Sequence, residues 1–296
     1  MIAEAANPLL EPWRFQAHPE IWLLVSFLIG AYVYVVRVLG PQAAPAGRVV
    51  SRRNIVAFAA AMAMLWMASD WPLHDLAEEY LYSMHMLQHM MLSYFLPPLA
   101  LLATPEWLFR VLVGNGRTYR VVRWFSKPVI AGVLFNVVIM VTHIPGLVNR
   151  SASSSPLHYS LHVILVTTAL LMWMPICGPA RELHIGYGGK MIYLFLMSVV
   201  PTVPAGWLTF AEGTVYKHYA TPIRVWGLSV QTDQQLAGAI MKIGGAIFLW
   251  TIVIYMFFRR FARDFNAEQS YVQEPLTYEA VEEAFERTPP APEPQR

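Results

Sequence analysis

Cysteine is almost absent from this chain: Cys177 is the only one among 296 residues. A single cysteine excludes an intramolecular disulfide and any metal site built from several thiolates. Charge is scarce as well. Asp, Glu, Lys and Arg make up 14% of the residues, against about 25% in an ordinary soluble domain. With 56% hydrophobic residues and a mean hydropathy of +0.42, that scarcity excludes a typical soluble fold and points to one helical membrane bundle. The formal net charge of +2 identifies no partner. The sequence has no GxSxG elbow and no phosphate-binding P-loop. HMLQH at 85–89 carries Gln88 where a zinc-protease HExxH needs its general-base glutamate. The chain is therefore not read as an enzyme. Its basic residues follow loop topology rather than a stripe, so no nucleic-acid partner is expected. The N-terminal MIAEAANPLLEPWRF lacks a basic n-region and a cleavage site. The first apolar run, from Ile21, is accordingly expected to be a retained span.

What the chain does have is long apolar runs. They predict an all-α integral membrane protein of seven spans: 21–38, 54–71, 84–104, 129–145, 158–176, 190–210 and 236–258. Each is roughly 16–23 residues, against the ~20 that cross a bilayer core. Pro97-Pro98 is expected to kink the third span, and Pro201 and Pro204 the sixth. Residues 71–84, WPLHDLAEEYLYSM, read as a short interfacial helix with aromatic anchors. Residues 1–20 form an extracytoplasmic segment and 21–258 the membrane domain. Residues 259–296 form a cytoplasmic, largely disordered tail with a short helix near Tyr278–Phe285.

Loop charge sets the orientation. The one–two loop has Arg37, Arg48, Arg52 and Arg53; the three–four loop has Arg110, Arg117, Arg120, Arg123 and Lys127. Arg181 and Lys190 follow span five, and Arg259, Arg260 and Arg263 follow span seven. The two–three loop has no Lys or Arg and carries Asp75, Glu78 and Glu79. Basic loops stay in the cytoplasm, which puts the N-terminus outside and the C-terminus inside, as an odd span count requires.

Two histidine pairs, His85/His89 and His158/His162, have i, i+4 spacing, so each pair projects from one helix face. The topology brings them together with a fifth. His85 and His89 open span three at its outer end, His143 closes span four there, and His158 and His162 open span five there. His89 and His162 form a layer about 6 Å deeper, one turn at 1.5 Å per residue. His74 and His218 fall in neighbouring outer loops, His18 precedes span one, and only His184 is cytoplasmic. Ionisable side chains in a membrane are costly and face a cavity or a partner. A single interfacial histidine can also pack quietly against a carbonyl. Five on one side favour a shared polar site, either a metal centre or a hydrogen-bond network. Imidazole suits copper, zinc, iron and nickel, and thioether selects Cu(I) among them. Met84, Met86, Met90 and Met91 surround the first pair, with Met86 and Met90 on an adjacent face. Asp70 and Asp233 are expected to support imidazoles as hydrogen-bond acceptors. Lys242, inside span seven, invites a retinal Schiff-base reading, but span three supplies no Asp or Glu as counter-ion. It is expected to snorkel or to pair with Asp233 or a carbonyl.

These stretches together resemble the multi-span CtaG family of cytochrome c oxidase assembly factors. The matching blocks are HMLQHMMLSYFLPPLALLATP at 85–105, THIP at 142–145, LHYSLHVILVTTALLMWMPICGP at 157–179, PTVPAGWLTF at 201–210 with VYKHY at 215–219, and DQQLAGAIMKIGG at 233–245. The resemblance implies a seven-span protein of a bacterial-type inner or plasma membrane. It would mature a haem-copper oxidase, with copper, favoured as Cu(I), supplied to the catalytic subunit. The expected metal residues are His85, His89, His143, His158 and His162, with Met86, Met90, Asp70 and Asp233 in support. An extracytoplasmic copper donor and membrane lipid are the further expected partners. The family pattern sets an acidic residue beside the fifth-span histidine; Ser160-Leu161-His162 has none. Two other functions compete: a haem- or quinone-binding respiratory subunit, whose haem would need ligands on facing helices, and a scaffold without metal.

The topology has a direct check. In a variant lacking Cys177, a single cysteine introduced into the acidic two–three loop is expected to react with an impermeant maleimide from outside intact cells. Reaction from the cytoplasmic side alone would reverse the orientation.

Overall fold

The computed structural model of the protein describes residues 11–44, 49–221, 223–273 and 278–287. Among them every regular element is helical. In an apolar surround a helix satisfies its own backbone, and an open strand cannot. The expected disordered stretch beyond 287, the first ten residues and Arg48 lie outside the described residues.

The helices follow in chain order: α1 (Pro19–Ala43), α2 (Arg52–Ser69), α3 (Leu73–Tyr80), α4 (Tyr82–Ala103), α5 (Glu106–Val113), α6 (Arg117–Phe125), α7 (Pro128–Thr142), α8 (Pro145–Ala152), α9 (Ser155–Cys177) and α10 (Tyr187–Thr209). α11 starts at Val230 and continues as Gly245–Gln273, past the expected end at 258; α12 is Tyr278–Arg287. Five of these, α1, α4, α9, α10 and α11, are long and apolar enough to cross a membrane. The count reaches seven when the bent pairs α2–α3 (46°) and α6–α7 (71°) are each taken as one span. For the second pair the reason is length: α7 has 15 residues, about 22 Å of helix against a hydrocarbon core of about 30 Å. Met1–Thr251 form one compact unit and Ile252–Arg296 another.

Within the first unit α4 is the most buried of the long helices and α1 the least; α1 buries only Ile21, Val25 and Gly40. Local chemistry fixes the helix starts. Ser51 and Asn54 form a reciprocal capping box at the head of α2, and the Asn54 amide donates onward to the Leu102 carbonyl at 2.8 Å. Close packing requires Gly238 on α11, where a Cβ would meet Thr209 Oγ1 at 2.5 Å and the Ala205 carbonyl at 2.7 Å.

The prolines act through the carbonyls they free. Pro97 cannot donate to Ser93, and the Trp173 indole of α9 donates to that carbonyl at 3.2 Å. Directly upstream, Met91–Phe95 is a π-turn. At Val200-Pro201 helix α10 breaks into Tyr187–Val199 and Thr202–Thr209. Lys242 covers the break: its Nζ bonds Thr202 Oγ1 and lies 3.5 Å from the Ser198 carbonyl. Lys242 therefore takes a carbonyl and a hydroxyl, not Asp233. It rides another π-turn, Ile240–Gly244. Such wide turns cluster at functional sites.

Asp233 and Asp70 do other work than the expected support of imidazoles. Asp233, fully buried, accepts from the Tyr82 amide at 2.9 Å, the Ser83 amide at 3.0 Å and the Ser83 hydroxyl at 2.5 Å. It caps α4 from across the bundle, because Leu81 at the helix head has no side-chain oxygen. Asp70 accepts from the indoles of Trp22 (2.9 Å) and Trp66 (2.5 Å) and from the Trp71 amide (2.9 Å). It ties α1 to α2. Asp233→Ala would strand two buried amides and is expected to destabilise the bundle by about 2–4 kcal/mol. A clear fall in the melting temperature of detergent-solubilised protein is the readout. An unchanged melt would remove Asp233 as the clasp.

Candidate metal centre

The i, i+4 spacing does what helix geometry demands: the His85 and His89 rings lie 4.3 Å apart by centroid, and those of His158 and His162 lie 4.2 Å apart. The two pairs then face each other. His85 is 5.7 Å from His158 and 6.0 Å from His162, and His89 is 5.1 Å from His162. His143, which caps α7, lies 6.2 Å from His89. All five expected histidines thus gather in one cluster from α4, α7 and α9.

A carboxylate joins them that the histidine pattern did not contain. Glu78 Oε1 stands 2.7 Å from His158 Nε2 and 4.0 Å from His85 Nδ1. The shorter approach is an ion-pair contact between a buried imidazole and the carboxylate. The position is set by the chain break at Leu81, whose extended backbone separates α3 from α4 and folds the acid back over the histidine helix. The 211–229 segment holds it there. His218 Nε2 donates to the Glu78 carbonyl at 2.8 Å, and the Tyr219 hydroxyl donates to the Ala77 carbonyl at 3.0 Å. The three acids of the two–three loop were legible in the sequence, but only as a topology signal.

Nitrogen lone pairs and protons in this cluster lack the partners that burial usually requires. His85 Nδ1 and the Nε2 atoms of His89 and His162 are buried with no hydrogen bond. The ligand atoms of His85, His89 and His162 lie within 4.8 Å of one another, and so do those of Glu78, His158 and His162. His162 belongs to both sets. A cavity of about 20 Å³ between them is lined by His85, His89, His158 and His162 together with Thr142 and Tyr219, room for one ion or one water. A larger apolar surface groove of about 770 Å³, between α7 and α10, contains none of these histidines.

His143 differs from the rest. Its Nδ1 donates to the Ile139 carbonyl at 2.6 Å, and its Nε2 lies 3.3 Å from Met86 Sδ. Met86 and Met90 are both buried and line a neighbouring cavity rather than the first one. His74 accepts from Gln88 Nε2 at 3.1 Å and packs edge-on to His18. Burial works against the charged form of the His18 ring, but its 2.7 Å hydrogen bond to Asp75 and that carboxylate's charge outweigh it and raise its pKa. His184 lies apart from the cluster, donating to the Gly178 carbonyl at 2.7 Å. Burial lowers its pKa, so it stays neutral.

The sequence profile of cytochrome c oxidase caa3 assembly factors (Caa3_CtaG) matches residues 30–263. The chain belongs to that family. The match covers most of the protein and takes in Glu78 and all five clustered histidines. No curated protein and no solved structure matches the chain. As a member of the Caa3_CtaG family the protein is an assembly factor for cytochrome c oxidase, with several apolar helices that make it a multi-pass membrane protein.

Because His162 is common to both three-ligand sets, it is expected to dominate any metal affinity of the centre. In competition titrations against a chelator, His162→Ala should weaken binding at least tenfold more than His85→Ala or His158→Ala alone. Equal losses from all three would dissolve the distinction between the sets.

Proposed function

We propose that this assembly factor binds copper, as Cu(I), at the histidine cluster on the extracytoplasmic side of the membrane and supplies it to the catalytic subunit of the oxidase. One observation carries the reading. Imidazole nitrogens of His85, His89 and His162, buried and without hydrogen bonds, line with His158 a cavity the size of one ion, and Glu78 stands 2.7 Å from His158. Unpaired imidazole nitrogens are expensive in a low-dielectric surround, and a cation is what they would share.

The spacing also suits transfer. Ligand atoms up to 4.8 Å apart must close toward about 3.3 Å for tetrahedral bonds of about 2.0 Å to nitrogen. The rings swing in to take the ion and swing out to release it, so binding is reversible. Neutral imidazole is a better choice for that than four thiolates, which the chain cannot assemble. The loop-charge pattern supports an outward-facing site, where a copper donor and the oxidase subunit would meet it. The competing haem reading meets a spatial obstacle: His89 and His162 are 5.1 Å apart by ring centroid, with no slot between them for a macrocycle. The reading involves no catalysed reaction; the ion changes ligands without changing oxidation state.

Replacing His89 and His162 together with Ala is expected to abolish copper retention by the purified protein. It should also lower copper content and activity of the oxidase at least tenfold while the bundle still inserts. His184→Ala serves as the control and should leave both unchanged. Full oxidase activity with both deep histidines replaced would refute copper delivery through this cluster.

A further inference from the structure

The histidine cluster has a neighbour of different chemistry. A second cavity, also about 20 Å³, is lined by His89, His143, Met86, Met90 and Met241. His89 lines both cavities. The first offers imidazoles alone among metal ligands; the second offers imidazole and thioether.

The contact between His143 and Met86 says what the second cavity wants. His143 Nδ1 faces a carbonyl oxygen at 2.6 Å, so Nδ1 carries the proton. In the neutral ring Nε2 is then a lone pair. That lone pair points at Met86 Sδ, 3.3 Å away, and a thioether has no proton to give. Two electron-pair donors therefore meet inside a buried site. A ring proton on Nε2 would resolve the mismatch only by burying an imidazolium with no counter-ion among the residues lining the cavity. A soft cation resolves it directly. With bonds of about 2.0 Å to nitrogen and about 2.3 Å to sulfur, an ion touching both atoms at this separation subtends an angle of about 100°, close to tetrahedral. The Nδ1 hydrogen bond to a backbone carbonyl is the arrangement that orients a metal-binding histidine.

We infer that the protein holds a second Cu(I) site made by His143 and Met86, completed from Met90 and Met241, with His89 as the ligand through which the ion passes between it and the histidine cluster. The inference rests on the copper reading above. Thioethers bind Cu(I) and reject Zn(II) and Cu(II), so the second cavity acts as a selectivity stage. An ion entering the histidine cluster proceeds only if it accepts sulfur. The hand-over is ligand exchange: His89 keeps its bond while an imidazole of the first cavity is traded for a thioether of the second.

The test uses the full-length protein in detergent, stripped of metal and titrated anaerobically with Cu(I) or separately with Zn(II). X-ray absorption at the metal edge reads the ligand shell. Two Cu(I) per chain with a sulfur scatterer near ~2.3 Å, against one Zn(II) with a nitrogen and oxygen shell only, is the expected result. Met86→Leu, Met90→Leu and Met241→Leu together, changes of nearly constant volume, should remove the sulfur scatterer and one Cu(I) while leaving Zn(II) bound. Retained Zn(II) certifies the fold of the variant, and the wild-type spectrum decides by itself if the variant does not fold. One Cu(I) in a sulfur-free shell in the wild type would overturn the second site and leave the histidine site standing. No Cu(I) binding at all would overturn both. A sulfur scatterer that persists in the triple variant would overturn the assignment to these thioethers.

Discussion

The first turn of the helix that carries His85 and His89 is held by a carboxylate from a different helix, Asp233. Much of the centre depends on that clasp. α4 is the most buried of the long helices, and its head emerges among side chains rather than in water, so its leading amides need a partner from the protein itself. Asp233 supplies one acceptor for two amides and a hydroxyl. It also fixes where α4 begins relative to α11, and with it the direction in which both imidazoles point. Ser83 sits one turn or less before His85, so a shift at the clasp reaches the rings undiminished.

The same rule governs the prolines. In water a freed carbonyl is hydrated at little penalty; in a membrane it must find a donor in the protein. Trp173 serves Ser93, and Lys242 serves Ser198. Both donors come from other helices, so each break in a helix becomes a fastening between two. Lys242 is thereby accounted for as a structural cation that closes the gap in α10, and the charge does not face the histidines to oppose a metal.

The histidine pairs were legible in the sequence because i, i+4 spacing is a property of the helix alone, and their convergence with His143 followed from counting spans. The α3 segment was legible as a short helix distinct from the spans. Glu78 was not. Whether an acid on an interfacial helix turns toward solvent or toward a buried cluster depends on how Leu81 bends the chain, and a single extended residue leaves no periodic trace. Asp233 and Asp70 were recognised as important and given the wrong partners. A carboxylate is equally suited to an imidazole, an indole or a row of amides, and only the packing of α11 on α4, and of α1 on α2, chooses. The π-turns at Met91–Phe95 and Ile240–Gly244 had no signature beyond nearby proline and glycine.

Those π-turns carry a consequence for how the chain can change. The π-turn at Met91–Phe95 lies between His89 and Pro97. It winds more residues into one turn than an α-helix does. Excising one residue there would restore ordinary winding and leave the rest of the helix close to its present phase, because the extra residue is already taken up in the widened turn. The same excision in a regular α-turn would rotate everything beyond it by about 100° and draw it back by about 1.5 Å. The interval between His89 and Pro97 is thus where this helix can lose a residue without turning its histidines away from the elements they face.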